Sequence, residues 1–442
     1  MTHPLSVILS RNALQPGDGE LIVAIQANAP QRESKTATRM PFNIAIALDV
    51  SSSMKGDKIR YAKEAAQRIV SRLEPQDQCA VVTFASESTV LMPSTAMTDP
   101  ARALLIAEIE KTIADGNTAL YDGWRDAVTC VEQANHGAQA IQRVFLLTDG
   151  EANIGLSNPD AVGRAVANAQ QQGISTSTFG LGDGYNERLL GVMASAGEGN
   201  TYFIEDADDI DVFFGQELDH LATTTLRNVQ LTVTVPAAVQ CTVVGDRNHS
   251  RGTDTVTIPL GAMISGESRQ VLLHLAASAT LTIGTYAIDV ALSAIDEQSQ
   301  PLHATVSAAL PVAAHAEIIA EELERSAALL DKAAVVADAL AFHQKGDYAG
   351  AVALITARMQ SHPMYARFGV YEEELSRFNQ RIDGASMKRM RMHSNDMVNS
   401  SPATLRKYRM MLELLHKKNG RPEDIALIEE QIRTLEAKFA AE

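Results

Sequence analysis

The sequence predicts a multidomain chain of mixed class, α/β plus β plus α. A doubly wound parallel-sheet domain is inserted in an antiparallel β-sandwich and followed by a helical C-terminal module. Three observations predict this. Hydrophobic periodicity, the main local signal of secondary structure, changes along the 442 residues. From about Met40 to Leu221, strand-sized apolar runs alternate with helical patterns, as in a parallel sheet covered on both faces. The N-terminal residues alternate with period two, and so does the stretch after Arg227, unlike the block between them.

Taken in order, Leu5, Val7 and Leu9, then Leu21, Val23 and Ile25, alternate around the turn Pro16-Gly17-Asp18-Gly19. A lone hairpin is marginal in water, so residues 1–38 are expected to complete the sandwich, with Gln31–Arg39 as one connection. The competing placement is an extension of the α/β sheet edge. The α/β domain spans 40–221. Phe42–Leu48, Cys79–Ala85 and Ile141–Thr148 read as core strands, Ile174–Gly180 and Thr201–Ile204 as further ones. Helices are expected at Lys58–Leu73, Leu120–Ala134 and Asp206–Leu221, the last with an acidic first turn that suits the dipole. Two more open on Asp99-Pro100 and Asn158-Pro159, since proline is favoured at the first helical position. The remaining sandwich strands are assigned to 222–312, where Val229, Leu231, Val233 and Val235 alternate with polar residues. Val256–Ile258, Val271–Leu275 and Tyr286–Leu292 repeat that alternation. Residues 313–442 read as helices, with starts at Ser401-Pro402 and Arg421-Pro422. The Lys345–Tyr348 turn is reminiscent of a tetratricopeptide unit, but one copy without a repeat carries little weight.

Composition narrows the class of function. The formal net charge of −16 opposes binding to nucleic acid or an anionic membrane. No apolar run reaches the length of a membrane span, and the first residues lack the pattern of a secretion signal. The three cysteines, Cys79, Cys130 and Cys241, are far apart and form no CxxC pair. That argues against a disulfide framework or a structural zinc site and for a reducing, cytoplasmic setting.

The chemistry concentrates at strand ends. The first core strand runs into Asp49-Val50-Ser51-Ser52-Ser53, a D-x-S-x-S segment at the carboxyl edge where open α/β sheets bind ligands. The loop Gly116–Gly123 offers the Thr118 hydroxyl, and Ile141–Thr148 ends in Asp149-Gly150. Two carboxylates and three hydroxyls are hard oxygen donors, suited to Mg2+, with Mn2+ or Ca2+ as alternatives.

In these residues the sequence resembles the von Willebrand factor type A family, whose doubly wound (Rossmann-like) domain carries a metal-ion-dependent adhesion site. Asp49, Ser51, Ser53, Thr118 and Asp149 match all five positions of that site. The resemblance implies that Ser51 and Ser53 ligate the metal directly, that Thr118 does so in the ligand-ready state, and that Asp49 and Asp149 act largely through water. It implies a protein partner that offers an Asp or Glu carboxylate to the metal, and coupling of the site to the last helix, Asp206–Leu221. Leu146–Gly155, together with the insertion in a β-sandwich, is similar to the inter-alpha-trypsin inhibitor heavy chains and their bacterial relatives; integrin β subunits share the insertion.

The expected function is therefore a cation-dependent protein-binding adaptor, not an enzyme, with the helical module holding a second partner. A metal-dependent hydrolase and a purely structural scaffold are the alternatives. Against the first, the sequence contains no HExxH, G-x-S-x-G or Walker A segment. The Gly180–Gly184 run is read as a loop, Trp124 as core, and Met387–His393 as a solvated connection.

Overall fold

The structure is a computed structural model. It describes residues 4–17, 19–32, 39–134, 140–149, 152–182, 186–204, 207–245, 249–379, 382, 387, 390, 394, 402–417 and 422–440. Most of Gln31–Arg39 and Met387–His393, and part of Gly180–Gly184, lie outside these. The chain forms two compact units, one of residues 1–32, 229–294 and 301–442, the other of 33–228 and 295–300.

Strands β1 (Leu5–Leu9) and β2 (Glu20–Asn28) open the first unit. The second begins with β3 (Phe42–Asp49), buried along its whole length, then a single 3-10 turn (Ser52–Met54) and α1 (Asp57–Arg72). There follow β4 (Gln78–Phe84), β5 (Ser88–Ala96), α2 (Asp99–Lys111), α3 (Leu120–Glu132) and β6 (Ile141–Thr148). Helix α4 (Pro159–Gln171), β7 (Ile174–Leu181), α5 (Glu187–Ala196), β8 (Thr201–Ile204) and α6 (Ala207–Ala222) complete it.

The six strands of this unit lie in the order β5-β4-β3-β6-β7-β8. All neighbours are parallel except β4 and β5. The sheet is therefore mixed, and its antiparallel edge strand β5 carries only a short apolar stretch, Val90–Met92, cut off by Pro93. Alternation of sides about β3 sets the topological switch between β3 and β6, where a crevice opens at the carboxyl edge. One face of the sheet packs on Leu120, Trp124, Ala127 and Val131 of α3 and on Val162 and Val166 of α4. The indole of Trp124 donates to Thr176 Oγ1 (3.1 Å), so the residue is core, as read from the sequence.

In the first unit the order β1-β2-β13-β10 forms one sheet, with β10 (Val239–Val243) and β13 (Ser268–Ala277). Pairing is antiparallel throughout, and β2 runs along β13 from Asn28–Ser268 to Glu20–Ala276. The N-terminal strands thus pair with strands that follow the α/β unit in sequence, and not with the α/β sheet. A second sheet has the order β11-β12-β9-β14-β15, with β9 (Thr224–Thr234), β11 (Ser250–Arg251), β12 (Thr255–Ile264), β14 (Gly284–Asp296) and β15 (Pro301–Val312).

The helices are α7 (Glu321–Gln344), α8 (Tyr348–Ser361), α9 (Pro363–Ala366), α10 (Glu372–Phe378), α11 (Pro402–Lys417) and α12 (Pro422–Ala440). The sequence suggested a separate helical module from 313 onward. In the structure these helices fall in the same compact unit as the strands. Ile22 and Ala24 of β2 and Leu272 of β13 share a core with Leu323, Ala327 and Ala328 of α7. Period-two alternation identified only Leu21, Val23 and Ile25 as buried, yet Ile22 and Ala24 are buried too, because α7 covers their face. Among the described residues, no helix is long and apolar enough to cross a membrane.

Candidate metal centre

Asp49 is the last residue of β3 and is fully buried. Its register beside β6, with Leu48 opposite Leu147, sets Thr148 next to it, and the Thr148 hydroxyl donates to Asp49 Oδ2 at 2.5 Å. The other oxygen, Oδ1, accepts the Ser51 backbone N–H at 2.8 Å. That bond folds the chain back over the strand end, so that alternate side chains of the D-x-S-x-S segment meet. Ser51 Oγ lies 3.1 Å from Ser53 Oγ, and Ser53 Oγ donates to Asp149 Oδ1 at 3.0 Å. Four of the five expected residues therefore form one hydrogen-bonded cluster across the switch point.

Thr118 is buried in the loop before α3. Two backbone bonds stitch that loop to the Asp49–Ser53 turn: Ser52 N–H to Gly116 O (2.9 Å) and Asp115 N–H to Val50 O (2.8 Å). Asn153 holds Thr118 from the other side. Its side-chain oxygen accepts the Thr118 N–H at 2.8 Å, while its own N–H donates to Thr118 O at 3.2 Å.

Burial pushes the Asp49 carboxyl up to about 6, against the bonds from Ser51 and Thr148, and the nearby Asp149 charge adds to the rise. A bound cation would relieve that cost, because it favours the ionised carboxylate. Among the described residues, no group of three or more His, Cys, Asp or Glu side chains is placed to hold a metal ion, so hydroxyls, backbone carbonyls or water would have to complete a coordination shell here. Two carboxylates with Ser and Thr hydroxyls meet that need for a hard cation that retains water ligands.

The sequence reading missed three participants. Thr148 bonds Asp49, Asn153 brackets Thr118, and Lys58 Nζ donates to Asp149 Oδ2 at 2.9 Å. Lys58 had left a local trace. It stands in the first turn of α1, where the helix dipole disfavours a cation, so an anionic partner outside the helix was to be expected.

This sheet order, with an oxygen-donor cluster at its switch point, is that of a doubly wound α/β domain. Residues 43–216 match the model of the von Willebrand factor type A domain, and the chain carries such a domain. Protein sll0103 of Synechocystis is 26% identical over 289 residues, covering 62% of this chain and 66% of its own. Human inter-alpha-trypsin inhibitor heavy chain H3 is 26% identical over 197 residues, 43% of this chain and 22% of its own. The chain thus spans less than two thirds of either relative. A solved von Willebrand factor type A structure from Catenulispora acidiphila covers 90% of this chain and 96% of its own, with a TM-score of 0.64 and 18% identity; it shares the fold. Domains of this type commonly mediate protein–protein interactions and often bind a divalent metal.

Proposed function

We propose that the chain is a cation-dependent protein-binding adaptor. Asp49, Ser51, Ser53, Thr118 and Asp149 would hold a divalent ion, Mg2+ foremost, with Mn2+ or Ca2+ as alternatives. The bound ion would supply a Lewis-acid position for an Asp or Glu carboxylate of a protein partner. The observation that carries this reading is the Ser51–Ser53–Asp149 hydrogen-bonded chain beside the buried Asp49, at the edge where sheets of this topology bind ligands. Hydroxyls contribute no charge, so an ion held partly by them stays electron-poor and gains more from a partner's carboxylate.

The same reading extends to α6. Strand β6 precedes Asp149 and carries Arg143, whose guanidinium pairs with Glu217 of α6. A change of state at Asp149 therefore has a route to α6, and α6 leads directly into β9. The three buried, unpaired cysteines support placing the protein in a reducing compartment.

The test is retention of partner proteins on the immobilised chain, comparing Mg2+ with EDTA and wild type with Asp49→Asn and Ser53→Ala. Mn2+ titration runs in parallel. We expect one Mn2+ per chain, and partner retention that both chelator and substitutions abolish. Retention unchanged by chelator refutes the reading. Metal-dependent turnover of a substrate that disappears in Asp49→Asn would favour a hydrolase.

A further inference from the structure

We infer that Lys58 is a built-in competitor of the metal, a tethered cation that occupies Asp149 when the ion is absent and sets how tightly the ion binds. The inference rests on the metal reading above and adds a residue outside the five-residue pattern. Asp149 is 1% exposed, and its two oxygens have distinct partners: Oδ1 takes the Ser53 hydroxyl, Oδ2 the Lys58 ammonium at 2.9 Å. The ammonium thus lies one carboxylate away from a hydroxyl assigned to the metal.

The lysine stem has a prepared seat. Gly182, just past the end of β7, adopts φ +71°, and a Cβ there would approach Lys58 Cε to 2.9 Å. With a side chain at position 182, the stem would have to move and the ammonium with it. The site therefore holds two carboxylates balanced in part by one fixed charge. A divalent ion entering it must either displace the ammonium from Asp149 or bind a few ångströms from a like charge, and both weaken binding. The Lys58 side chain is 31% exposed, so it has a way out toward water, and the exchange needs no backbone movement. In the metal-free state the ammonium spares Asp149 the cost of a buried, unpaired charge.

Mn2+ titration, followed by the spectroscopic signal of the free ion, tests this on the full chain. The variants are Lys58→Met, which keeps the apolar stem over Gly182, and Lys58→Gln as a second neutral form. Lys58→Arg serves as the charge-retaining control. Neutral variants should bind Mn2+ about tenfold tighter, about 1.4 kcal/mol, and Lys58→Arg should stay near wild type. In EDTA the neutral variants should melt below wild type, and saturating Mn2+ should raise their melting temperature more than it raises that of wild type. Binding by the neutral variants alone would also support the inference. Equal or weaker binding than wild type in whichever neutral variant folds overturns it and leaves the metal reading standing. If neither wild type nor any variant binds Mn2+, the metal reading fails and this inference falls with it.

Discussion

Replacing Glu217 by glutamine leaves Arg143 as a buried cation without an anion. Arg143 is 2% exposed and Glu217 fully buried. The carboxylate accepts from Ser177 Oγ (2.6 Å), Tyr202 OH (2.7 Å) and Asn200 Nδ2 (2.9 Å), besides its pairing with Arg143. Burial alone would raise the Glu217 carboxyl. The Arg143 charge, aided by His220 and by the Ser177 and Tyr202 hydroxyls, outweighs burial and holds it at about 2. Against an ordinary value near 4.5, at about 1.4 kcal/mol per pH unit, the ionised form contributes about 3 kcal/mol. Loss of one partner of a buried pair costs a similar about 3–5 kcal/mol. The folded-state value is depressed, so the contribution is fully present above about pH 4.5 and is lost as pH falls toward 2. Glu217→Gln should therefore destabilise the α/β unit by about 3 kcal/mol at pH 7 and by only about 1 kcal/mol at pH 3. The assay is urea unfolding in EDTA, followed by fluorescence of Trp124. This is the chain's one tryptophan, it is buried in α3, and it reports on this unit specifically. Equal stability of variant and wild type at pH 7, or a difference that does not shrink in acid, would refute the reasoning.

Other substitutions probe the packing that positions the site. A Cβ on Gly123 would lie 2.3 Å from the Phe84 ring, which is fully buried. Gly123→Ala gains about 1 kcal/mol in helix propensity but overpacks at a cost of about 1–3 kcal/mol, so urea unfolding read by Trp124 should show a net loss. In the other unit, Glu324 accepts from Arg11 Nε at 2.8 Å and pairs with Arg367 at 2.7 Å. Both arginines are partly exposed, so Glu324→Gln should cost about 2 kcal/mol, less than a fully buried pair. A lowered far-ultraviolet circular dichroism melt would show it; an unchanged melt would refute it.

Much of the α/β unit was legible because its signals are local. Strand-length apolar runs at 42–48 and 141–148 reappear as β3 and β6. Asn158-Pro159 starts a helix because the Asn158 side chain accepts the Ala161 N–H at 3.0 Å. Strand β5 was not legible: its residues are mostly half-buried or exposed, and its one apolar stretch, Val90–Met92, is short and stops at Pro93. Pairing with β4 makes it a strand. Likewise, within the region read only as helical, the chain breaks between α9 and α10, where Gly369 takes φ +66°.

By itself, the sequence determined which oxygen-bearing side chains stand at the strand ends and which faces must be apolar, because both follow from spacing along a few residues. Only the tertiary structure decided what those groups meet. The strand register set Thr148 on Asp49, the path of α1 brought Lys58 to Asp149, and α7 buried Ile22 and Ala24. Such pairings join residues tens to hundreds of positions apart. Periodicity tells that a surface is to be covered, and only chain packing selects what covers it.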